Sequence, residues 1–100
     1  MEIKIQNNTE AVVVTMCGSF DTQAAENAEP SIIELEALAS KPITIDCTAL
    51  DYVASSGLRV FLRLRKASAA QGQQITLLGV NENIMEVLKV THFDRMFIIK

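Results

Sequence analysis

The chain has 100 residues, of which 49% are hydrophobic and 21% are charged, and this composition is typical of one folded domain with its own core. Nine Lys and Arg against twelve Asp and Glu give a net charge of −3, which offers no broad attraction to a phosphate backbone. We therefore expect no nucleic-acid partner. The N-terminus lacks the basic and apolar regions of a secretory signal, and no apolar stretch approaches the roughly 20 residues that span a bilayer. These features favour a cytoplasmic protein without direct membrane insertion.

Cysteine, histidine and glycine usage gives no sign of a metal or cofactor site. Cys17 and Cys47 lie in apolar segments without Cys-x-x-Cys spacing, which favours buried, reduced thiols. His92 is the single histidine, and no cysteine or carboxylate stands near it at the spacing of a metal site or a nucleophile pair. No Gly-rich phosphate loop is present either. We expect no metal, no cofactor and no enzymatic activity.

The spacing of apolar residues divides the chain into alternating strands and helices. The predicted elements are strands at 3–6 and 11–17, a helix at 22–40, a strand at 43–47, a helix at 56–71, a strand at 74–80, a helix at 82–90 and a strand at 96–99. The nearly unbroken apolar run at 11–17, ended by Gly18, is typical of a strand buried on both faces. The order β-β-α-β-α-β-α-β predicts one α/β domain over residues 1–100, with a mixed, mostly parallel sheet of about five strands and an antiparallel hairpin at its edge.

Several residues mark helix boundaries and faces. Asp21 and Asn81 are predicted N-caps, Pro30 predicts a kink or a restart, and Gly72 predicts a helix end. The helix at 56–71 has an apolar stripe formed by Gly57, Val60, Phe61, Leu64 and Ala67. A basic stripe on its opposite side, directed at solvent or at a partner, consists of Arg59, Arg63 and Lys66. Leu58 and Leu62 lie at the border between the stripes, where they could be exposed.

Functional residues of open α/β sheets usually lie beyond the carboxyl ends of the strands. Two segments fit this position, residues 18–21 and residues 46–56. In the second segment, Ser55 or Ser56 stands at or just before the start of a helix and could cap its free N–H groups. Alternatively, one of these serines is phosphorylated, because the same N–H groups and the positive end of the helix dipole favour a phosphate. The local chemistry leaves both interpretations open.

Asp46, the run from Leu50 to Leu58, and residues 59–62 together resemble the signature of STAS domains, whose best-known members are bacterial anti-sigma factor antagonists. Ser55-Ser56-Gly57-Leu58 matches the last four positions of that pattern, and residues 18–21 resemble its Gly-x-Leu-Asp turn. The element order resembles the family over all 100 residues. The resemblance implies that Ser56, or alternatively Ser55, is phosphorylated and that Asp21 lies near it. Ala54 departs from the family, which commonly has Asp there, and no helix is expected after the last strand, as in a free-standing member.

The resemblance implies a partner-switching function in bacterial transcription control. The unphosphorylated domain would bind an anti-sigma factor kinase and free the sigma factor, phosphorylation at Ser56 would abolish binding, and a phosphatase would restore it. The expected partner-binding residues are Asp21, Asp51, Ser55, Gly57, Leu58, Arg59, Leu62 and Arg63. The alternative is a non-switching STAS subunit that binds an ATPase of a membrane lipid or solute transport complex. Ala54 favours the alternative, whereas the intact Ser56-Gly57 pair favours the switch.

Overall fold

The computed structural model describes all residues, 1–100. Its elements are β1 (Glu2–Asn7), β2 (Val12–Phe20), α1 (Thr22–Asn27), α2 (Glu29–Ala37), β3 (Ile43–Val53), α3 (Ser55–Ala70), β4 (Ile75–Leu78), α4 (Glu82–Val90), a 3₁₀ turn (Phe93–Arg95) and β5 (Ile98–Ile99). The predicted α/β class and the alternation of strands and helices are confirmed. The helix expected at 22–40 is two helices, α1 and α2.

The five strands lie side by side in the order in which they occur in the chain. β1 pairs antiparallel with β2, and the pairs β2–β3, β3–β4 and β4–β5 are parallel. Each parallel crossover moves one strand in the same direction, so right-handed connections place all the helices on one face of the sheet. The core lies between this face and the helices. Its fully buried strand residues include Val12, Val14, Met16, Ile43, Ile45, Ile75 and Leu77.

The opposite face of the sheet carries no helix, and this corrects the expectation for residues 11–17. Val13 and Thr15 alternate with the buried residues of β2 and remain partly exposed, as does Thr44 on β3. A strand buried on both faces needs helices on both sides of the sheet. The prediction of two-sided burial is therefore wrong, although the segment is a strand.

The second strand continues past Gly18 to Phe20, with register shifts between Thr15 and Cys17 and between Gly18 and Ser19. Gly18 has a φ of 103°, a conformation that other residues rarely adopt. Cys17 is paired with Glu2 on the uncovered face and is exposed, so the prediction that it is buried is wrong. Cys47 is 1% exposed, as predicted, and burial raises the pKa of its thiol to about 12.

The predicted N-cap at Asp21 is confirmed, since its Oδ1 accepts a hydrogen bond of 2.8 Å from the backbone N–H of Ala24. The restart predicted at Pro30 is confirmed as well. α2 begins at Glu29 with Pro30 in its first turn, where a missing N–H costs no helical hydrogen bond. The core side of α2 is formed by Ile32 and Leu35, which are fully buried.

Other boundaries differ from the sequence predictions by one residue or more. β3 extends to Val53, so most of the segment between the predicted strand at 43–47 and the predicted helix at 56 is strand, with Leu50 and Val53 buried. β5 covers only residues 98–99 because Met96 still closes the 3₁₀ turn, its backbone N–H donating to the carbonyl oxygen of Phe93 at 2.9 Å. α3 begins one residue earlier than expected, at Ser55. No helix combines the length and the apolar character needed to cross a bilayer.

Candidate functional site

The two segments singled out in the sequence meet at the carboxyl ends of β2 and β3. These strands run parallel, and Phe20 pairs with Val53 where both end. The backbone N–H of Ala54 donates a hydrogen bond of 2.9 Å to the carbonyl oxygen of Phe20, which ties the two strand ends together. α1 and α3 begin directly beyond this point, so the N-termini of two helices face the same edge of the sheet.

Ser56 is the second residue of α3 and is half-buried at this edge. The N-cap of α3 is Ala54, whose side chain can form no capping hydrogen bond. The capping interpretation of Ser55 and Ser56 is therefore wrong, because both residues lie inside the helix. The Ser56 Oγ lies 2.9 Å from the Thr22 Oγ1 of α1, and this hydrogen bond joins the first turns of the two helices. Ser55 precedes it and is exposed.

Gly57 allows α3 to approach the end of β2 closely. A Cβ atom at this position would lie 2.9 Å from both the Cγ and the carbonyl oxygen of Phe20 and 3.0 Å from the Cγ1 of Val53. The Phe20 ring also packs edge-to-face against Phe61 of α3, with ring centroids 5.7 Å apart. These contacts fix the first turn of α3 against the sheet, so Ser56 is presented from a rigid position.

The charges around Ser56 have both signs. Asp21 is exposed beside Thr22, and Asp51 is exposed near the end of β3. Arg59 follows Ser56 by three residues, a spacing that places two side chains on the same face of a helix, and it is exposed. The free N–H groups at the start of α3 add a partial positive charge. A phosphate on Ser56 would thus find favourable partners on α3 itself and the unfavourable carboxylate of Asp21 next to its bonded neighbour Thr22.

The model of the STAS domain family matches residues 1–100, which is the whole chain. The chain belongs to the STAS domain family. Among characterised relatives, the anti-sigma-B factor antagonist of Listeria monocytogenes is 22% identical to this STAS domain over 100 residues, which are 100% of this chain and 87% of the relative.

Solved structures share the fold of this STAS domain. The crystal structure of a candidate anti-sigma factor antagonist from Thermotoga maritima matches with a TM-score of 0.86 and 19% identity, over 97% of this chain and 84% of that one. The phosphorylated form of the Bacillus cell fate determinant SpoIIAA matches with a TM-score of 0.75 and 18% identity, over 99% of this chain and 91% of that one. SpoIIAA in its unphosphorylated form gives a TM-score of 0.76 at 21% identity, over 99% and 87% of the two chains. The resemblance seen in the sequence is therefore confirmed at the level of family and fold.

Two of the side chains expected to contact a partner are not free to do so in this STAS domain. Leu58 is only 8% exposed, so its expected exposure at the border of the apolar stripe is wrong. Arg63 is held by α2: its Nη1 lies 2.7 Å from a Glu29 carboxylate oxygen, and its Nη2 lies 2.8 Å from Glu36 Oε1. The hydrogen bond from Arg63 lowers the pKa of Glu36. The basic stripe available to a partner thus reduces to Arg59 and Lys66, with the half-buried Leu62 between them.

The sequence pointed neither to Thr22 nor to a second role of Asn81, and both position the site. Thr22 directly follows the Asp21 N-cap. Its contact with Ser56 could have been inferred only from the predicted starts of both helices beyond neighbouring strand ends. Asn81 caps α4 as predicted, its Oδ1 accepting from the Ile84 N–H at 2.8 Å. Its Nδ2 also donates to the carbonyl oxygens of Leu50, at 3.2 Å, and Asp51, at 3.3 Å. No local signal predicts this second role, which anchors the end of β3.

No group of three or more His, Cys, Asp or Glu side chains lies close enough together to hold a metal ion. His92 is exposed at the end of α4 and takes a left-handed conformation with a φ of 63°. Residues in this conformation often follow the last turn of a helix, and His92 has this place after α4.

Proposed function

We propose that this STAS domain is an anti-sigma factor antagonist whose binding is controlled by phosphorylation of Ser56. The unphosphorylated domain binds an anti-sigma factor kinase, which then releases its sigma factor. The observation that carries the proposal is the half-buried Ser56 hydroxyl in the first turn of α3, 2.9 Å from Thr22 Oγ1, where the N-termini of α1 and α3 converge. The names of the Listeria relative and of the phosphorylated SpoIIAA structure support it.

The chemistry of the switch is a phosphoryl transfer in which this domain is the substrate. The partner kinase holds ATP, the γ-phosphoryl group moves to Ser56 Oγ, the hydroxyl proton passes to a base of the kinase, and ADP leaves. Ser56 then loses its ability to donate a hydrogen bond, while the Thr22 hydroxyl still can donate one. A phosphatase hydrolyses the ester and restores the hydroxyl. The domain itself is a binding module in the bacterial cytoplasm, without catalytic activity, cofactor or metal.

In this proposal, phosphorylation of Ser56 leaves the fold intact. A phosphate adds about −1.5 to −2 charges at neutral pH. At Ser56 these charges lie in the first turn of α3, where the helix dipole favours anions, and three residues before the exposed Arg59. The rigid packing of Gly57 against Phe20 holds the phosphate on the surface rather than letting the helix start unwind. Phosphorylation therefore changes the surface that a partner meets.

Binding is lost because the phosphate adds to an existing acidic edge. Asp21 is exposed there, beside Thr22, so an acidic or apolar partner surface that contacts it meets additional like charge and a desolvation cost, whereas Asp51 lies across the end of β3, beside α4. A penalty of about 3 to 4 kcal/mol weakens binding by a few hundredfold, which is sufficient for a switch. Ser55, Arg59 and Leu62 are the further accessible side chains of α3 that we assign to the partner-binding surface.

The test uses the wild-type domain and its Ser56→Ala and Ser56→Glu variants as baits in the cytoplasm of the native host, with Ser40→Ala, at an exposed serine outside the proposed surface, as the matched control. We expect wild type, Ser40→Ala and Ser56→Ala to recover a small ATP-binding kinase, and Ser56→Glu to lose it. The intact mass of the endogenous protein should include a form heavier by one phosphate. Recovery of a transport ATPase by every bait, with no modified form, would instead establish the non-switching subunit of a transport complex.

A further inference from the structure

A groove lies between the end of β3 and α4, on the side of β3 away from α1. It consists of two adjoining hollows, each of about 270 Å³, which share Val87. The first is lined by Asp51, Tyr52, Val53, Asn83, Ile84 and Val87, and the second by Glu86, Val87, Val90 and Thr91. We call this continuous surface the α4 groove.

The α4 groove exposes large apolar side chains that pack against nothing on their outer side. Tyr52 is 55% exposed, Val87 is 36% exposed and Val90 is 78% exposed. Asn83, Val87 and Val90 follow one another at spacings of four and three residues, so they form a row about 10 Å long on the surface of α4. Covering such a row with apolar groups from a partner is favourable, because it removes apolar area from water.

The rim of the α4 groove is acidic. The carboxylates of Asp51 and Glu86 line the two hollows, and no Lys or Arg lines either of them. An acidic rim repels nucleic acid and the anionic surface of a membrane. A second copy of this chain is disfavoured by mutual repulsion, because each copy carries a net charge of −3. Charge complementarity therefore favours apolar side chains flanked by Lys or Arg.

The size and shape of the α4 groove favour a protein segment over a small molecule. Each hollow is smaller than the roughly 300 to 1,000 Å³ of typical ligand pockets, and both are open to solvent. A row of two helical turns matches a partner helix with apolar anchors at positions i, i+4 and i+7. We propose that the α4 groove is a docking site for a basic amphipathic helix of a protein partner, separate from the Ser56 surface.

The α4 groove and Ser56 lie on opposite sides of the end of β3. Ser56 is bonded to Thr22 of α1, which follows β2, whereas the α4 groove opens towards the helix that follows β4. Asn81 holds the walls of the groove together, because it bonds both the start of α4 and the carbonyl oxygens at the end of β3. The two surfaces can therefore be occupied at the same time, and the groove binds its helix whatever the state of Ser56.

The test is a nuclear magnetic resonance titration of the whole chain with a designed peptide. The probe is about 16 residues of Lys, Ala and Leu, with Leu at positions i, i+4 and i+7, which is long enough for a marginal helix in water. We expect backbone signals of residues 51–53 and 83–91 to shift. Val90→Asp should weaken binding at least about tenfold, because an apolar contact is replaced by a charge, and Glu86→Lys should weaken it severalfold through repulsion. Both positions are exposed, so the fold should survive these changes.

Two controls distinguish docking in the α4 groove from general stickiness. Leu78→Asp changes an apolar side chain that is 41% exposed on the sheet and should leave peptide affinity unchanged. Ser56→Glu should leave it unchanged as well, and this result is independent of whether the phosphorylation switch exists. Equal binding of a peptide with Glu in place of Lys, or signal changes outside the groove, would overturn the proposal. Groove signals that shift with protein concentration alone would overturn it too, since the occupant would then be a second copy.

Discussion

Thr22 Oγ1 and Ser56 Oγ are 34 residues apart in the chain and 2.9 Å apart in space. The hydrogen bond between them joins the first turn of α1 to the first turn of α3 without any charged group. It holds the Ser56 side chain towards α1 in the unmodified protein. A phosphate added to this oxygen, as proposed, would change a contact between two helices as well as add charge.

A double-mutant cycle on this pair should show coupling. Thr22→Val keeps the shape of the side chain and removes its hydroxyl, and Ser56→Ala removes the partner; each should lower the free energy of unfolding by about 1 kcal/mol. The double variant should lose less than the sum of the single losses, because the same hydrogen bond is removed in both. Urea denaturation of the wild type, the two single variants and the double variant measures the free energy of unfolding of each. Strict additivity would mean that the hydrogen bond contributes nothing to the fold.

Gly57→Ala should destabilise the domain, although Gly→Ala within a helix normally stabilises it by up to about 1 kcal/mol. The added Cβ would lie 2.9 Å from the Phe20 carbonyl oxygen, a backbone atom that cannot move aside easily. We expect a loss of about 1 to 3 kcal/mol, as for other overpacked sites, measured by chemical denaturation. Ser55→Ala, at an exposed position in the same turn, is the control and should be close to neutral. An unchanged Gly57→Ala protein would show that α3 can move away from β2.

The ion pairs of Arg63 should make stability depend on pH in the acid range. The hydrogen bond from Arg63 lowers the pKa of Glu36 below its ordinary value of 4.5, so the stabilisation is present above that value and is lost as the pH falls through the lowered pKa. Arg63→Met removes this cause. The variant should melt a few degrees below wild type near pH 7, and the difference should shrink towards pH 3.

Thermal melts at several pH values measure this effect, with Lys66→Met as the control. Lys66 is exposed on the same helix and forms no ion pair, so its replacement should leave the difference between neutral and acid pH unchanged. If Arg63→Met and wild type lose stability in parallel on acidification, the contact with Glu36 is not formed in solution.

Asn81 has two separable roles, and two substitutions should separate them. Asn81→Ala removes both the N-cap of α4 and the bonds to the end of β3, and it should cost about 1 to 2 kcal/mol. Asn81→Ser keeps a capping oxygen but lacks the amide N–H₂ group that binds the carbonyl oxygens of Leu50 and Asp51. It should cost less in global stability, while hydrogen exchange should become faster around residues 50–54. Equal exchange in both variants and wild type would leave Asn81 as a cap only.

The two cysteines should differ sharply in reactivity. Cys17 is exposed, whereas burial raises the pKa of Cys47 to about 12, which leaves little reactive thiolate at neutral pH. A thiol reagent such as Ellman's reagent should modify one group rapidly in the native protein and the second only after denaturation. Cys17→Ser should abolish the rapid phase, and Cys47→Ser should retain it. A rapid phase that survives Cys17→Ser would mean that the core around Cys47 opens readily.

The sequence predicted best those features that local chemistry determines. Asp21 and Asn81 were recognised as N-caps and Pro30 as a restart, since capping and the missing proline N–H act within one helical turn. The parallel sheet followed from the alternation of elements. Ser56 was identified through a family resemblance, and its place in the first turn of α3 could be read from the serines before an amphipathic helix.

The errors concern features that depend on distant parts of the chain. Cys17 was expected to be buried because its segment is apolar, but its exposure is decided by the absence of helices on the second face of the sheet. Arg63 was expected on a free basic face, and only the crossing of α2 over α3 brings Glu29 and Glu36 to its guanidinium group. The length of β3 was missed because its buried positions no longer alternate after Cys47.

The strands lie in the sheet in the same order as in the chain, and this order affects how the domain folds. Every strand pairs with the strand before it, so no pairing has to wait for a segment that is synthesised much later. Val12 pairs with Ile43 and Ile43 pairs with Ile75, so each parallel pair closes the loop of one crossover only and none spans the whole chain. The sheet can therefore grow one strand at a time as the chain leaves the ribosome. The α1–α3 contact that positions Ser56 forms only after β3 has been added beside β2, so this edge of the sheet is complete before β4 and β5 are added.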